Sequence, residues 1–375
     1  MITKKAPLFS LFGFKVSLDL SWFFLLILVS WSLARGFFPQ NYSGLNTIIY
    51  WIMGVSSALL LFASIVLHEV SHSLVARRYG VPIKGITLFI FGGVAQIEDE
   101  PPSPQAEFSM AIVGPLTSIV IAFIFFGLSK LLESTNAPIP LSAVLRYLAF
   151  MNGALAIFNI IPAFPLDGGR VLRSAIWNRK QNLKAATRIS SRIGSVFGFV
   201  LIFMGLVFIL RKSFIGGMWW FLIGIFLSNA ARSSYQQVLM RSTLEGQKVS
   251  RFMQKDIVVV PPKISIQNLV NEYIYKYHFK MFPVVAKGKL IGCVTTKLLK
   301  SVPRSEWDKR IVADITEACT PKNTVNPETD VIKVLGMMRQ SGSSRILVVK
   351  QEKLVGIITL KDLLEFIALK MELEE

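Results

Sequence analysis

Two cysteines and three histidines in 375 residues leave this chain short of the side chains that usually brace or arm a protein. Both cysteines, Cys293 and Cys319, lie in the more polar C-terminal third, which excludes a disulfide framework and suits a reducing cytosol. Acidic residues are also scarce: 23 Asp and Glu stand against 41 Lys and Arg, and charged residues make up only 17% of the chain. With 52% apolar residues and a mean hydropathy of +0.52, the chain is too apolar for an ordinary soluble domain and reads as a membrane protein with a more polar part attached. The net charge of +18 raises nucleic acid as a partner, but Lys and Arg sit mainly in loops flanking apolar runs and over the C-terminal part. That pattern is topogenic charge facing an anionic leaflet, and no nucleic acid is expected.

Apolar runs of about the 20 residues that cross a bilayer lie near 18–33, 49–75, 108–128, 141–161, 193–210 and 217–231, which predicts a polytopic α-helical membrane protein of about six spans. The linker 37–45 is uncharged, whereas Arg77, Arg78 and Lys84 follow the second run, and Arg170, Arg173, Arg179, Lys180, Lys184 and Arg188 follow the fourth. The positive-inside rule then puts both termini in the cytoplasm, with Arg211 and Lys212 a minor exception. Lys4 and Lys5 open the chain, but the first run starts late and lacks a small-residue cleavage site, so it reads as a retained span. Trp22, Trp31, Trp51, Trp219 and Trp220 near run ends read as interfacial anchors. Residues 85–97 are apolar and β-prone but too short and glycine-rich to span, which predicts a β-hairpin or re-entrant segment. The acidic, proline-rich stretch from Glu98 to Pro104 ends it in a polar loop.

After Arg241 the pattern changes to short strands alternating with amphipathic helices, and an α/β domain begins. It holds an internal repeat. Phe282-Pro283-Val284-Val285 with Leu290-Ile291-Gly292-Cys293-Val294-Thr295 corresponds to Ile346-Leu347-Val348-Val349 with Leu354-Val355-Gly356-Ile357-Ile358-Thr359. Each copy predicts a β-β-α unit, and two such units can bury a shared core. The expected organisation is a membrane domain over 1–240 and repeats over 245–305 and 306–375.

Within the second apolar run stands His68-Glu69-Val70-Ser71-His72. Polar groups at membrane depth usually mark a working site. On a helix, histidines four apart share a face and can hold one zinc ion, with Glu69 placed to take a proton from an activated water. Two histidines leave such an ion short of a ligand, and Asp167 is the best remaining candidate. It follows Pro162 and Pro165, which break the fourth helix, and precedes Gly168 and Gly169, which permit close backbone approach. The competing reading of Pro-Leu-Asp-Gly alone is an exposed aspartate in a surface turn. His278, between Tyr277 and Phe279, reads as a packing or surface residue.

Together, His68-Glu-X-X-His72, Gly92-Gly93-Val94, Gly114-Pro115 and the segment from Asn159 to Gly168 resemble the site-2 proteases, intramembrane zinc metalloproteases, over about residues 1–240. The resemblance implies His68, His72 and Asp167 as zinc ligands and Glu69 as catalytic base. It also implies that Asn159 positions substrate or steadies the oxyanion. The family's usual Asn-Pro-Asp-Gly is Pro-Leu-Asp-Gly here, with the aspartate and glycine kept. The implied substrates are membrane proteins cut within or near their transmembrane segments, in the lipid bilayer of a prokaryotic cell membrane. By β-propensity and position, residues 85–97 are expected to offer a strand edge to the unwound substrate. Residues 245–370 resemble a tandem pair of CBS repeats, which implies a cytosolic module binding an adenine nucleotide such as ATP or AMP as regulator, and a homodimer through stacked pairs. Thr359-Leu360-Lys361-Asp362 matches the family's ribose-contacting pattern, whereas the first repeat has Thr295-Thr296-Lys297-Leu298 and lacks the acid. Thr-X-X-Asp is equally a cap for a helix beginning near Leu363, and the sequence leaves both readings open. Two other functions compete with the protease: a transporter or channel gated by its CBS pair, and an inactive binder of membrane clients.

Overall fold

A helix in lipid must satisfy its backbone internally, and five helices among the described residues are long and apolar enough to cross a bilayer. The computed structural model describes residues 6–89, 92–97, 100–135, 137–321 and 323–374. Lys4, Lys5, Ile90, Phe91, Glu98 and Asp99 of the sequence argument lie outside them. The five helices are α1 (Leu20–Asn41), α2 (Thr47–Arg78), α3 (Pro104–Ser134), α4 (Ile139–Ile160) and α6 (Leu183–Leu210), with the shorter α5 (Asp167–Lys180) between the last two. The sixth predicted run is helical as well, inside α7 (Phe214–Leu244), but is not one of the five. Gly216, Gly217, Trp219, Trp220, Ser228 and Asn229 dilute its hydropathy.

Helix starts follow local capping chemistry. The side chains of Asn46, Ser103 and Asn182 accept from the backbone N–H of Ile48, Ala106 and Ala185 at the heads of α2, α3 and α6. The apolar side chains then face outward: Phe123, Phe150, Ile157 and Phe203 are each more than two-thirds exposed, between 68% and 73%. Polar residues face inward, with Ser57, Ser64, Ser118 and Asn152 buried between helices. This polarity is the reverse of a soluble bundle and suits a lipid solvent. Where α6 meets α7, a Cβ on Gly198 would lie 2.8 Å from the Gly224 carbonyl, and one on Gly205 would lie 2.7 Å from that of Gly217. Backbone touches backbone there, as small residues allow in a membrane.

The expected hairpin is half of a larger sheet. Strands β1 (Ala6–Leu11), β2 (Phe14–Leu18), β3 (Ile83–Phe89) and β4 (Gly92–Ile97) pair in that order, with β2 and β3 parallel and the other neighbours antiparallel. Phe14, Val16 and Leu18 of β2 and Ile86 and Leu88 of β3 pack on Phe62, Val66 and Val70 of α2. Trp22 joins this core, its ring 5.0 Å from that of Phe62, so it is a packing residue and not the interfacial anchor its position predicts.

The chain divides into two compact units, Met1–Gln236 and Gln237–Glu375. In the second, β5 (Met281–Ala286) and β6 (Lys289–Thr295) form a hairpin with the two-residue β7 (Glu317–Ala318) on β6. Strand β8 (Thr324–Val325) runs parallel to β9 (Arg345–Lys350), which pairs antiparallel with β10 (Lys353–Thr359). Helices α8 (Val331–Ser341) and α9 (Leu360–Glu374) cover this second sheet around Val334, Ile346, Val348, Ile358 and Leu363. The repeats are unequal. The helix after β6 is only Thr296–Leu299, with Pro303 close behind it, so the first copy lacks the full β-β-α unit that the second has.

Candidate metal centre

His68 and His72 stand one turn apart on the buried face of α2. Their Nε2 atoms are 3.1 Å apart, and Oδ2 of Asp167, on α5, lies 3.2 Å from each. All three residues are under 10% exposed, at 4%, 4% and 8%. Three ligand atoms each about 2.0–2.1 Å from a tetrahedral zinc ion stand about 3.3 Å apart, so this triangle is the right size for one ion.

The outer ring nitrogens are held as a metal site requires. Nδ1 of His72 is 2.5 Å from the Met110 carbonyl oxygen, which can only accept. Nδ1 therefore carries the proton and Nε2 turns a lone pair toward the centre. Nδ1 of His68 is 2.9 Å from the hydroxyl of the buried Ser118, which can accept in the same way. Both partners come from one face of α3, where Met110, Gly114 and Ser118 stand at four-residue intervals. Gly114 lets that face come close: a Cβ there would lie 2.6 Å from His68 Nε2 and nearer still to His72.

Asp167 reaches the pair because the chain reverses sharply after α4. Pro162 follows the end of that helix, the Phe164–Pro165 bond is cis, and Asp167 opens α5. Backbone crowds Gly168 and Gly169: a Cβ on Gly168 would meet the carbonyls of Ile160 and Ile161, and one on Gly169 the backbone of Ala163 and Phe164. Asp167 also stands in the first turn of its helix, where the backbone dipole favours a carboxylate.

Glu69 is half-buried beside the pair, and no hydrogen bond engages its carboxylate among the described residues. Edge strand β4 lies against it: a Cβ on Gly93 would lie 2.7 Å from Glu69 Cγ. Asn159 sits in the last turn of α4, where its side-chain amide donates to Leu155 O at 3.1 Å, and among the described residues no hydrogen bond joins it to the histidines or Asp167. Sequence reasoning alone passes over Ser118, the Met110 carbonyl and the steric part of Gly114. Their four-residue spacing is in the sequence, but without the partner helix it marks only one face of a span. Neither cysteine belongs to the centre. Burial, with Glu317 nearby, pushes the Cys293 thiol up to about 11, so it stays protonated.

In the second unit Thr359 and Asp362 form a reciprocal cap on α9. Thr359 Oγ1 accepts from the Asp362 N–H at 3.2 Å, while Asp362 Oδ2 accepts from the Thr359 N–H at 3.2 Å and its hydroxyl at 2.7 Å. Gln254 Nε2 donates to the other carboxylate oxygen at 2.8 Å. The same two residues line a cavity of about 290 Å³ together with Phe279, Arg345 and Lys361. In the first repeat Thr295 Oγ1 caps Leu298 N–H at 3.3 Å with no acid returning the bond.

The sequence profile of peptidase family M50 matches residues 56–141 and 130–202, and that of the CBS domain matches 249–302 and 312–369. A candidate zinc metalloprotease of Synechocystis is 37% identical over 356 residues, which are 93% of this chain and 92% of that one. A zinc metalloprotease of Methanocaldococcus jannaschii is 30% identical over 372 residues, 98% of this chain and 97% of its own. The solved site-2 protease from the same archaeon is 29% identical, covers 61% of this chain and 94% of its own, and superposes with a TM-score of 0.42. Identity at this level, held over nearly the whole of both chains, shows that the protein belongs to peptidase family M50, the zinc metalloproteases of site-2 type, and that it carries a tandem CBS pair.

Proposed function

We propose that this enzyme hydrolyses peptide bonds within or beside the transmembrane segments of other membrane proteins, at a zinc ion held by His68, His72 and Asp167. The observation that carries the reading is the buried triangle of ligand atoms, 3.1 and 3.2 Å on its edges, whose outer nitrogens already have partners. Bound there, zinc supplies Lewis acidity to the scissile carbonyl and brings the pKa of water toward neutrality. Glu69, free of other hydrogen bonds among the described residues, takes the proton of the attacking water and returns it to the leaving amine. Asn159 orients the substrate or steadies its oxyanion by exchanging its bond to Leu155 O for one to the substrate. Zinc per chain in detergent-purified protein tests the centre: about one in wild type, retained in Glu69→Ala and weakened in Asp167→Ala. Well-folded wild type without zinc would overturn the reading.

A peptide bond in a spanning helix is concealed by its own hydrogen bonds, so the substrate must be unwound before attack. Strand β4 is at the edge of its sheet and lies beside Glu69, which suits it to pair with an extended segment. Of Val94 and Ala95, one turns its N–H toward β3 and the other toward the open edge. Proline at the outward position is expected to leave the fold intact and reduce cleavage of a single-span substrate about tenfold or more; unchanged cleavage by the folded variant would sink the pairing role.

The charge of the linkers supports a topology in which α7 makes the sixth crossing and both termini lie in the cytoplasm. In a cysteine-free background, Ser213→Cys should react with a membrane-impermeant reagent from outside the cell and Glu245→Cys only from the cytoplasmic face; reaction of both from the same face would reject it.

The CBS pair is the proposed regulatory part. An adenine nucleotide such as ATP or AMP fits the lining of the 290 Å³ cavity, with Thr359 and Asp362 toward ribose hydroxyls and Arg345 and Lys361 toward phosphate. Gln254 would then yield the carboxylate oxygen it holds. To act on proteolysis, the nucleotide must bind two arrangements of the protein with different affinity. By calorimetry, Asp362→Ala is expected to weaken AMP binding about tenfold or more, and unchanged affinity would leave Asp362 as a helix cap alone.

A further inference from the structure

Beside the metal centre lies a buried ion pair that the chemistry above does not use. Arg173 of α5 is 4% exposed, and Glu107 of α3 is fully buried. Arg173 Nε donates to Glu107 Oε1 at 2.5 Å, its Nη2 is in ion-pair contact with the same oxygen, and Nη2 donates to Glu100 Oε2 at 3.3 Å. The guanidinium carbon stands 5.0 Å from the centroid of the Phe164 ring. The second oxygen of Glu107 has no hydrogen-bond partner among the described residues. An ion pair in such surroundings adds little stability, because desolvation offsets most of its attraction. What it fixes is geometry: a charge-assisted hydrogen bond from Nε and the close contact of Nη2, on one rigid planar group, tie a particular point on α5 to a particular point on α3.

Those points bear directly on the centre. Glu107, Met110, Gly114 and Ser118 succeed one another at intervals of three, four and four along α3, so all share one face. The last three touch or crowd the histidines. On α5, Asp167 and Arg173 are both buried, and Phe164 lies in the loop that delivers Asp167. The pair therefore fastens the helix and loop that carry the third ligand onto the same face that orients the first two. We propose that Arg173 is a positioning residue, whose ion pair with Glu107 holds the Asp167 carboxylate at the His68–His72 pair. The inference rests on the zinc reading given above.

Zinc affinity of the full-length protein in detergent, by competition with a chelator, tests it. Arg173→Gln is expected to bind zinc about tenfold to a hundredfold more weakly, the usual effect of losing a group that supports a ligand. Because Arg173 acts through Asp167, adding Arg173→Gln to Asp167→Ala should weaken zinc no further. A purely structural role would lower thermal stability equally with and without zinc, whereas positioning shrinks the zinc-dependent rise in melting temperature. If Arg173→Gln does not fold, the double variant Glu107→Leu/Arg173→Met replaces the charges by apolar groups that such sites commonly accept, and the same loss of affinity is expected. Wild-type affinity in either folded variant, or an additive loss in the Asp167→Ala background, would overturn the positioning role while the zinc reading stood. Absence of zinc from wild type would remove both.

Discussion

Two imidazoles and a carboxylate inside an apolar bundle are tolerable only when each polar atom finds a partner, and the packing of α2, α3 and α5 answers that requirement. Helix α2 supplies the histidines, but their outer nitrogens would be stranded without Ser118 and the Met110 carbonyl of α3. Helix α3 can offer them because Gly114 removes the side chain that would hold the helices apart. The carboxylate must come from elsewhere in the chain, and the reversal between α4 and α5, made passable by Gly168 and Gly169, brings it. The Arg173–Glu107 pair then joins α3 and α5 behind the centre.

Around that centre the molecule is inside-out by the standard of soluble proteins. Apolar side chains such as Phe123, Ile157 and Phe203 face outward, while serines and Asn152 are enclosed. Association of helices in lipid gains little from burying apolar surface, so close backbone approach takes a larger part, as the facing glycines of α6 and α7 show. The four-stranded sheet is the exception to helix packing. It rests its apolar face on α2 and leaves β4 at an edge beside Glu69, so the same helix that bears the histidines also carries the strand nearest that carboxylate.

The second unit shows how one motif serves two repeats differently. Thr295 and Thr359 both end a strand and cap the helix after it, but only Asp362 closes the cap reciprocally, and only the second copy continues into a long helix. The capping geometry does not remove Asp362 from the cavity, because its other oxygen is held by a glutamine side chain, a partner that rotation about its own bonds can release.

Much of this is legible in the residues themselves. The histidine pair and Glu69 stand out because ionisable groups are costly within apolar runs, Asp167 because prolines and glycines flank it just past the fourth run, and five of the six predicted runs are helices long and apolar enough to span. The sixth, in α7, is helical too, but its glycines and polar residues leave it less apolar than the others. The strand β2 alternates buried and exposed residues from Phe14 to Leu18, yet its partner β3 lies more than 60 positions away, and local pattern alone assigns its end to the first span. Trp22 reads as an anchor in the sequence, which shows that a tryptophan is near a helix end but not which way it faces. The sequence by itself determined which groups must be reconciled with lipid and that a repeated α/β unit comes after them, since composition and spacing are local properties. Only the tertiary structure decided that Met110, Gly114, Ser118, Glu107 and Arg173 meet around that chemistry, because their roles arise from contacts between helices that no local pattern records.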